Sequence, residues 1–152
     1  MTDPKPAMAV AQTASGFNPH MGFELVDWTP GYARTRVTIS DMHLNSQGIV
    51  HGGVYCSFLD FASGVCGVHP DEKGAAETCM TLSLTTNFVA GVAGGTLYCT
   101  ARKVGGGYSI YFVEATIEDA EGRTLATSMG TFKYNRKSAR PAPGSHAKED
   151  IS

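Results

Sequence analysis

The sequence predicts an α+β domain, an antiparallel sheet of about six strands wrapped around one long central helix. Two observations lead there. β-rich runs alternate with Gly- and Pro-rich turns, and one segment alone has helical periodicity. The resulting order is two strands, a helix and four strands, with too few helices for a parallel doubly wound sheet.

The first strands are "FELVDWT" and "YARTRVTIS", punctuated by Pro30-Gly31. The second alternates Ala33, Thr35, Val37 and Ile39 with Arg34, Arg36 and Thr38, so one face is buried and the other wet. After Gly53 the period changes. At about 100° per residue, Val54, Phe58, Phe61, Ala62 and Val65 form one apolar stripe, which predicts a helix over about residues 52 to 67. Its other side carries Gly53, Cys56, Asp60, Gly64 and Gly67, all small except the aspartate. Small residues are a weak choice for a helix unless something approaches that side closely.

Downstream, "CMTLSLTTNFV" alternates Met80, Leu82 and Leu84 with Thr81, Ser83 and Thr85. "GTLYCTARKV", "YSIYFVEATIED" and "RTLATSMGTFKY" complete the set, with "VGGGY" and "DAEGR" as hairpin turns. The short links favour an antiparallel meander.

A chain of 152 residues can bury one core without staples. Its 42% hydrophobic and 17% charged residues are ordinary for a soluble protein, and no apolar run approaches the roughly 20 residues that span a bilayer. A net charge of -2, with scattered basic residues, lacks the field of a nucleic-acid binder. Cys56, Cys66, Cys79 and Cys99 show no Cys-x-x-Cys spacing and read as reduced core thiols, which points to a cytoplasmic protein. His43, His51 and His69 lack metal-site spacing, so no metal is expected. Residues 1–16 read as a flexible leader, 17–135 as the folded domain and 136–152 as a disordered tail.

The chemistry concentrates in "LNSQGIVHGGVYCSFLD". Gly52 and Gly53 fall at the helix N-terminus, where free N–H groups can hold an anion or oxyanion; a tight turn would also use them. Asp60 sits mid-helix among small neighbours, unlike a solvent face, which would show Lys and Glu. His51 could orient the loop or donate to a carbonyl, and Asn45 is a common turn residue. No G-x-S-x-G elbow or Cys/His/Asn set supports nucleophilic Ser or Cys catalysis. Eight residues of helix separate Gly52 from Asp60 by about 12 Å. That is too far to serve one carbonyl, so if both act they come from different subunits, and an antiparallel two-fold pairing of helices would make two composite sites.

The string "N-S-Q-G-I-V-H-G-G-V-Y-C-S-F-L-D", followed by "T-L-S-L-T-T-N-F" and "EGRTLATSMGTFKY", closely resembles the hotdog-fold acyl-CoA thioesterases of the PaaI type, over most of residues 20 to 134. The resemblance implies a hotdog fold, homodimers that often pair into homotetramers, and no cofactor, coenzyme A being part of the substrate. It implies that Asp60 is the general base or nucleophile. The Gly52 N–H of the other subunit would hold the carbonyl oxygen, with Asn45 and His51 lining the centre and Thr81 placing the attacking water. Coenzyme A would then lie along Gly53, the run Phe88, Val89, Ala90 and Gly91, and the run Lys103, Gly105 and Gly106, with Lys103 meeting phosphates. A hotdog hydratase or dehydratase and a non-catalytic acyl-CoA-binding module are the rival readings.

Overall fold

The computed structural model describes residues 16–72, 76 and 78–136. The expected leader and tail therefore lie almost wholly outside the described residues. A short helix α1 (Phe17–Met21) precedes β1 (Glu24–Thr29) and β2 (Tyr32–Thr38). A 3-10 turn at Asp41–His43 leads to the main helix α2 (Gly52–Cys66), and β3 (Thr78–Phe88), β4 (Thr96–Gly106), β5 (Ile110–Glu118) and β6 (Thr124–Asn135) follow. The strands form one six-stranded sheet, in order β1-β2-β4-β5-β6-β3, every pair antiparallel. This is the expected hotdog layout of a sheet around one helix.

The order corrects one expectation. Strands β4, β5 and β6 form a meander, but β3 pairs with β6 at the far edge instead of with β4. The chain leaves β2, crosses the concave face as α2 and returns along that helix's small-residue side. That route puts β3 at the opposite rim and leaves the place beside β2 to β4.

The core fills the space between α2 and the sheet. Phe58, Leu59, Ala62 and Cys66 of α2 are fully buried, as are Leu97, Cys99, Val113, Ile117, Leu125 and Phe132 of the strands. The helical stripe is rotated from the one read in sequence. Tyr55, Leu59 and Cys66 are buried within it, while Phe61 and Val65 are only partly covered. The Trp28 indole N–H donates to the Val65 carbonyl at 2.9 Å, which ties the sheet's first edge to the helix end. Both predicted hairpins are present: Gly107 N–H donates to the Ile110 carbonyl, and Asp119 Oδ1 accepts from the Glu121 and Arg123 N–H groups.

Gly67, placed by periodicity on the small-residue side of the helix, is buried at the helix end. A Cβ there would lie 2.2 Å from Cε2 of Tyr111, a fully buried ring whose hydroxyl donates to the Gly64 carbonyl at 2.9 Å. The ring cannot withdraw without losing that bond. Gly67→Ala is expected to lower stability by about 1–3 kcal/mol, as overpacking does, read as a lower urea midpoint with an unchanged slope.

Candidate active site

The small-residue side of α2 is met by β3, running in the opposite direction along it. A Cβ on Gly52 would touch the Phe88 ring at 3.3 Å, and Cys56 Sγ lies 3.9 Å from Thr86 Oγ1. Farther on, Thr81 bonds Asp60, and Cys79 Sγ lies 3.7 Å from the Gly64 carbonyl. Close approach was expected on this side; within the chain, what approaches is the edge strand.

Strand β3 reaches the helix through a shift of phase. Thr81 pairs with Phe132 and Ser83 with Thr131, so Leu82 is an extra residue in the ladder. Before this bulge Cys79 and Thr81 face the helix; after it Thr86 and Phe88 do. The unbroken alternation of Met80, Leu82 and Leu84 is therefore misleading. Met80 and Leu82 are exposed, and only Leu84 packs against the core.

The bulge places Thr81 on the carboxylate. Its hydroxyl donates to Asp60 Oδ1 at 2.6 Å, a short charge-assisted bond. Among the described residues nothing bonds the second oxygen of Asp60, and the side chain is only partly buried. One oxygen is thus anchored while the other is free to take a proton or to attack.

The start of α2 singles out one donor. His51 is its N-cap, and the ring Nδ1 accepts the Gly53 N–H at 2.8 Å. The Val54 and Tyr55 N–H groups reach the His51 carbonyl, and the His51 N–H reaches the His43 carbonyl. No described residue accepts the Gly52 N–H. A side chain at Gly53 would put its Cβ 2.9 Å from that Nδ1, so the second glycine makes room for the cap.

Asn45 shapes the loop before the helix. Its Oδ1 accepts the Gln47 and Ile49 N–H groups at 2.9 and 3.3 Å, and its N–H donates to the Ile49 carbonyl. Phe88 and Val89 are exposed beside the Gly52 end, and the Ala90 carbonyl accepts from the Tyr55 hydroxyl at 3.2 Å. Gly91 lies against Ile49. Tyr55, whose ring stacks on Phe88, was missed in sequence because it lies outside the apolar stripe read there and belongs to no motif.

Lys103 lies past the other end of α2. Its ammonium bonds Glu72 and, at 2.9 Å, the Tyr134 hydroxyl. Burial opposes its charge, but these partners outweigh burial and raise its pKa. Gly105 faces Phe112 across the ladder. At Gly106 φ is 143°, and a Cβ would fall 2.5 Å from the Ile110 carbonyl, so the hairpin itself requires that glycine. One chain thus brings together Gly52, His51, Gly53 and Phe88 at one end of the helix and Asp60 with Thr81 at its middle, with Lys103 beyond its far end.

All four cysteines are free thiols. Burial pushes Cys66 up to about 12 and raises Cys79 and Cys99, so these three stay protonated. Among the described residues no His, Cys, Asp and Glu side chains are grouped to hold a metal, and no helix is long and apolar enough to cross a membrane.

A sequence profile of the thioesterase superfamily matches residues 47–126, more than half of the chain, from just after Asn45 through α2 and into β6. The chain belongs to the thioesterase superfamily. This thioesterase-superfamily chain is 27% identical over 126 residues to "Putative esterase Rv1847" of Mycobacterium tuberculosis, covering 82% of this chain and 89% of that one. It also resembles a solved conserved protein of Pseudomonas aeruginosa, with 25% identity and a TM-score of 0.73 over 86% of this chain and 99% of that one. The Escherichia coli PaaI protein of the phenylacetic acid degradation operon shares its fold, at 21% identity and a TM-score of 0.66 over 77% and 82% of the two chains.

Proposed function

We propose that the protein is an acyl-CoA thioesterase of the PaaI type, hydrolysing an aryl- or medium-chain acyl-CoA to the free acid and coenzyme A. The observation that carries this reading is the Asp60 carboxylate, held at one oxygen by Thr81 and open at the other, on the same helix as the unpaired Gly52 N–H. The two are about 12 Å apart along the axis. An antiparallel two-fold pair of helices brings each against its counterpart in the other subunit.

In this reading the Gly52 N–H holds the thioester carbonyl oxygen as negative charge develops on it. Asp60 then takes a proton from water while the water oxygen bonds the carbonyl carbon. Collapse of the tetrahedral intermediate breaks the carbon–sulfur bond, and the departing thiolate takes the proton back from Asp60. Direct attack by the free Asp60 oxygen would instead give a mixed anhydride that water cleaves; the same residues serve both routes. Asn45 and His51 border the centre. Gly53 and the run Phe88 to Gly91 line the entrance for coenzyme A, and the turn at Lys103, Gly105 and Gly106 reaches that entrance from the partner.

Two surfaces support assembly. Among the described residues, strand β3 has β6 on one side and an open hydrogen-bonding edge on the other, which a second β3 would cover. Met80, Leu82, Phe112 and Met129 are exposed on β3, β5 and β6, an apolar surface suited to pairing dimers into a tetramer. The free thiols suit the cytoplasm.

A free-thiol assay over a panel of aryl- and alkyl-CoA esters tests the proposal. Thiol release from at least one ester is the expected result. Hydration of an enoyl-CoA without thiol release, or stoichiometric binding without turnover, would replace it with one of the rival readings.

A further inference from the structure

The first N–H groups of a helix lack intrahelical acceptors, and side-chain caps decide which of them stay free. In α2 the His51 ring takes the Gly53 N–H at 2.8 Å. For Nδ1 to accept, it must be unprotonated, so the ring proton resides on Nε2. His51 is itself held from behind. Its N–H donates at 2.8 Å to the carbonyl of His43, a residue only 3% exposed. The His43 ring accepts the Ser40 N–H at Nδ1, 3.0 Å away, which leaves Nε2 to donate to the Met21 carbonyl at 2.8 Å. His43 thereby pins the segment that ends in the cap to the end of α1.

We infer that His51 serves the reaction through the backbone, as the cap that leaves the Gly52 N–H the one free donor of the first turn, and that buried His43 is a second positioning residue holding this cap in place. The inference rests on Gly52 as oxyanion donor and assigns both histidines an acceptor's role at Nδ1. Without the cap, two neighbouring N–H groups compete for the oxyanion and the first turn frays. With it, one amide is aimed.

The capping variants test this, because Ser and Asn cap helices well and Ala does not. His51→Ala is expected to lose roughly tenfold in kcat, the equivalent of ~1.4 kcal/mol, with KM little changed. His51→Ser and His51→Asn are expected to regain most of that loss, although neither carries an imidazole. Ser and Asn variants as slow as His51→Ala, while folded, would overturn the inference in favour of direct contact between the ring and substrate. Long-range proton–nitrogen NMR of the wild-type protein gives an independent readout: a proton on Nε2 of His51 is expected, and one on Nδ1 would overturn the cap. His43→Phe, provided its circular dichroism is native, should also lower kcat with KM unchanged; an unchanged kcat would remove His43 from the arrangement. A wild-type protein that releases no thiol from any ester would sink the thioesterase reading itself, while the NMR measurement would still decide the cap.

Discussion

Asp60→Asn is expected to fold and assemble as the wild type does and to lose about a thousandfold in kcat/KM, within the range that a positioned general base contributes. The substitution keeps the shape of the side chain and an oxygen for the Thr81 hydroxyl, which sits 2.6 Å from Oδ1. It removes the basicity, and with it both the proton acceptor and the nucleophile. Because Asp60 is only partly buried, the neutral amide costs little in stability. The measurement is steady-state thiol release beside a thermal melt and a sedimentation profile. A folded Asp60→Asn protein with the wild-type rate would end the assignment.

The second large effect concerns the oxyanion donor, where the helix start permits an unusually clean substitution. Gly52 is the first residue of α2, a position that tolerates proline because its N–H has no intrahelical acceptor. The preceding His51 has φ -63° and ψ 136°, the extended region that a residue before proline requires. Gly52→Pro therefore removes the N–H and keeps the helix; the exposed Phe88 ring, 3.3 Å from the Cβ position, has room to turn aside. A loss of about a hundredfold or more in kcat is expected, the usual cost of one oxyanion donor.

Mixing these two inactive proteins tests the composite site. If Gly52 and Asp60 of different subunits form each centre, a hybrid dimer of Gly52→Pro and Asp60→Asn carries one doubly damaged site and one intact site. After unfolding and refolding an equimolar mixture, half of the dimers are hybrids, so about a quarter of wild-type activity should return. Sites built within single chains would recover nothing.

Much of this was legible in local sequence. Hydrophobic period changes located the strands and α2, because a strand or helix that buries one face must repeat its apolar residues at its own pitch. Asp60 stood out because a carboxylate among Gly, Cys and Ser residues suits neither a solvent face nor a core. The distance between Gly52 and Asp60 followed from helical rise alone.

What stayed hidden depends on partners distant in the chain. The Leu82 bulge is a property of the β3–β6 register, and in "CMTLSLTTNFV" it looks like uninterrupted alternation. The bonds from Lys103 to Glu72 and Tyr134 were hidden as well, because each partner is 31 residues away and carries no local mark of the pairing. His51 was ambiguous because an imidazole can be a donor, an acceptor or a base, and only the position of the Gly53 N–H selects among these.

The sequence by itself thus determined the elements, their faces and the residues on which chemistry could rest, since periodicity and helical rise act over a few residues. Tertiary structure alone decided that β3 lies at the far edge, that Thr81 turns toward Asp60 and that Gly52 keeps a free N–H. Each of these is a hydrogen-bonding choice between segments, settled when the sheet closes around α2.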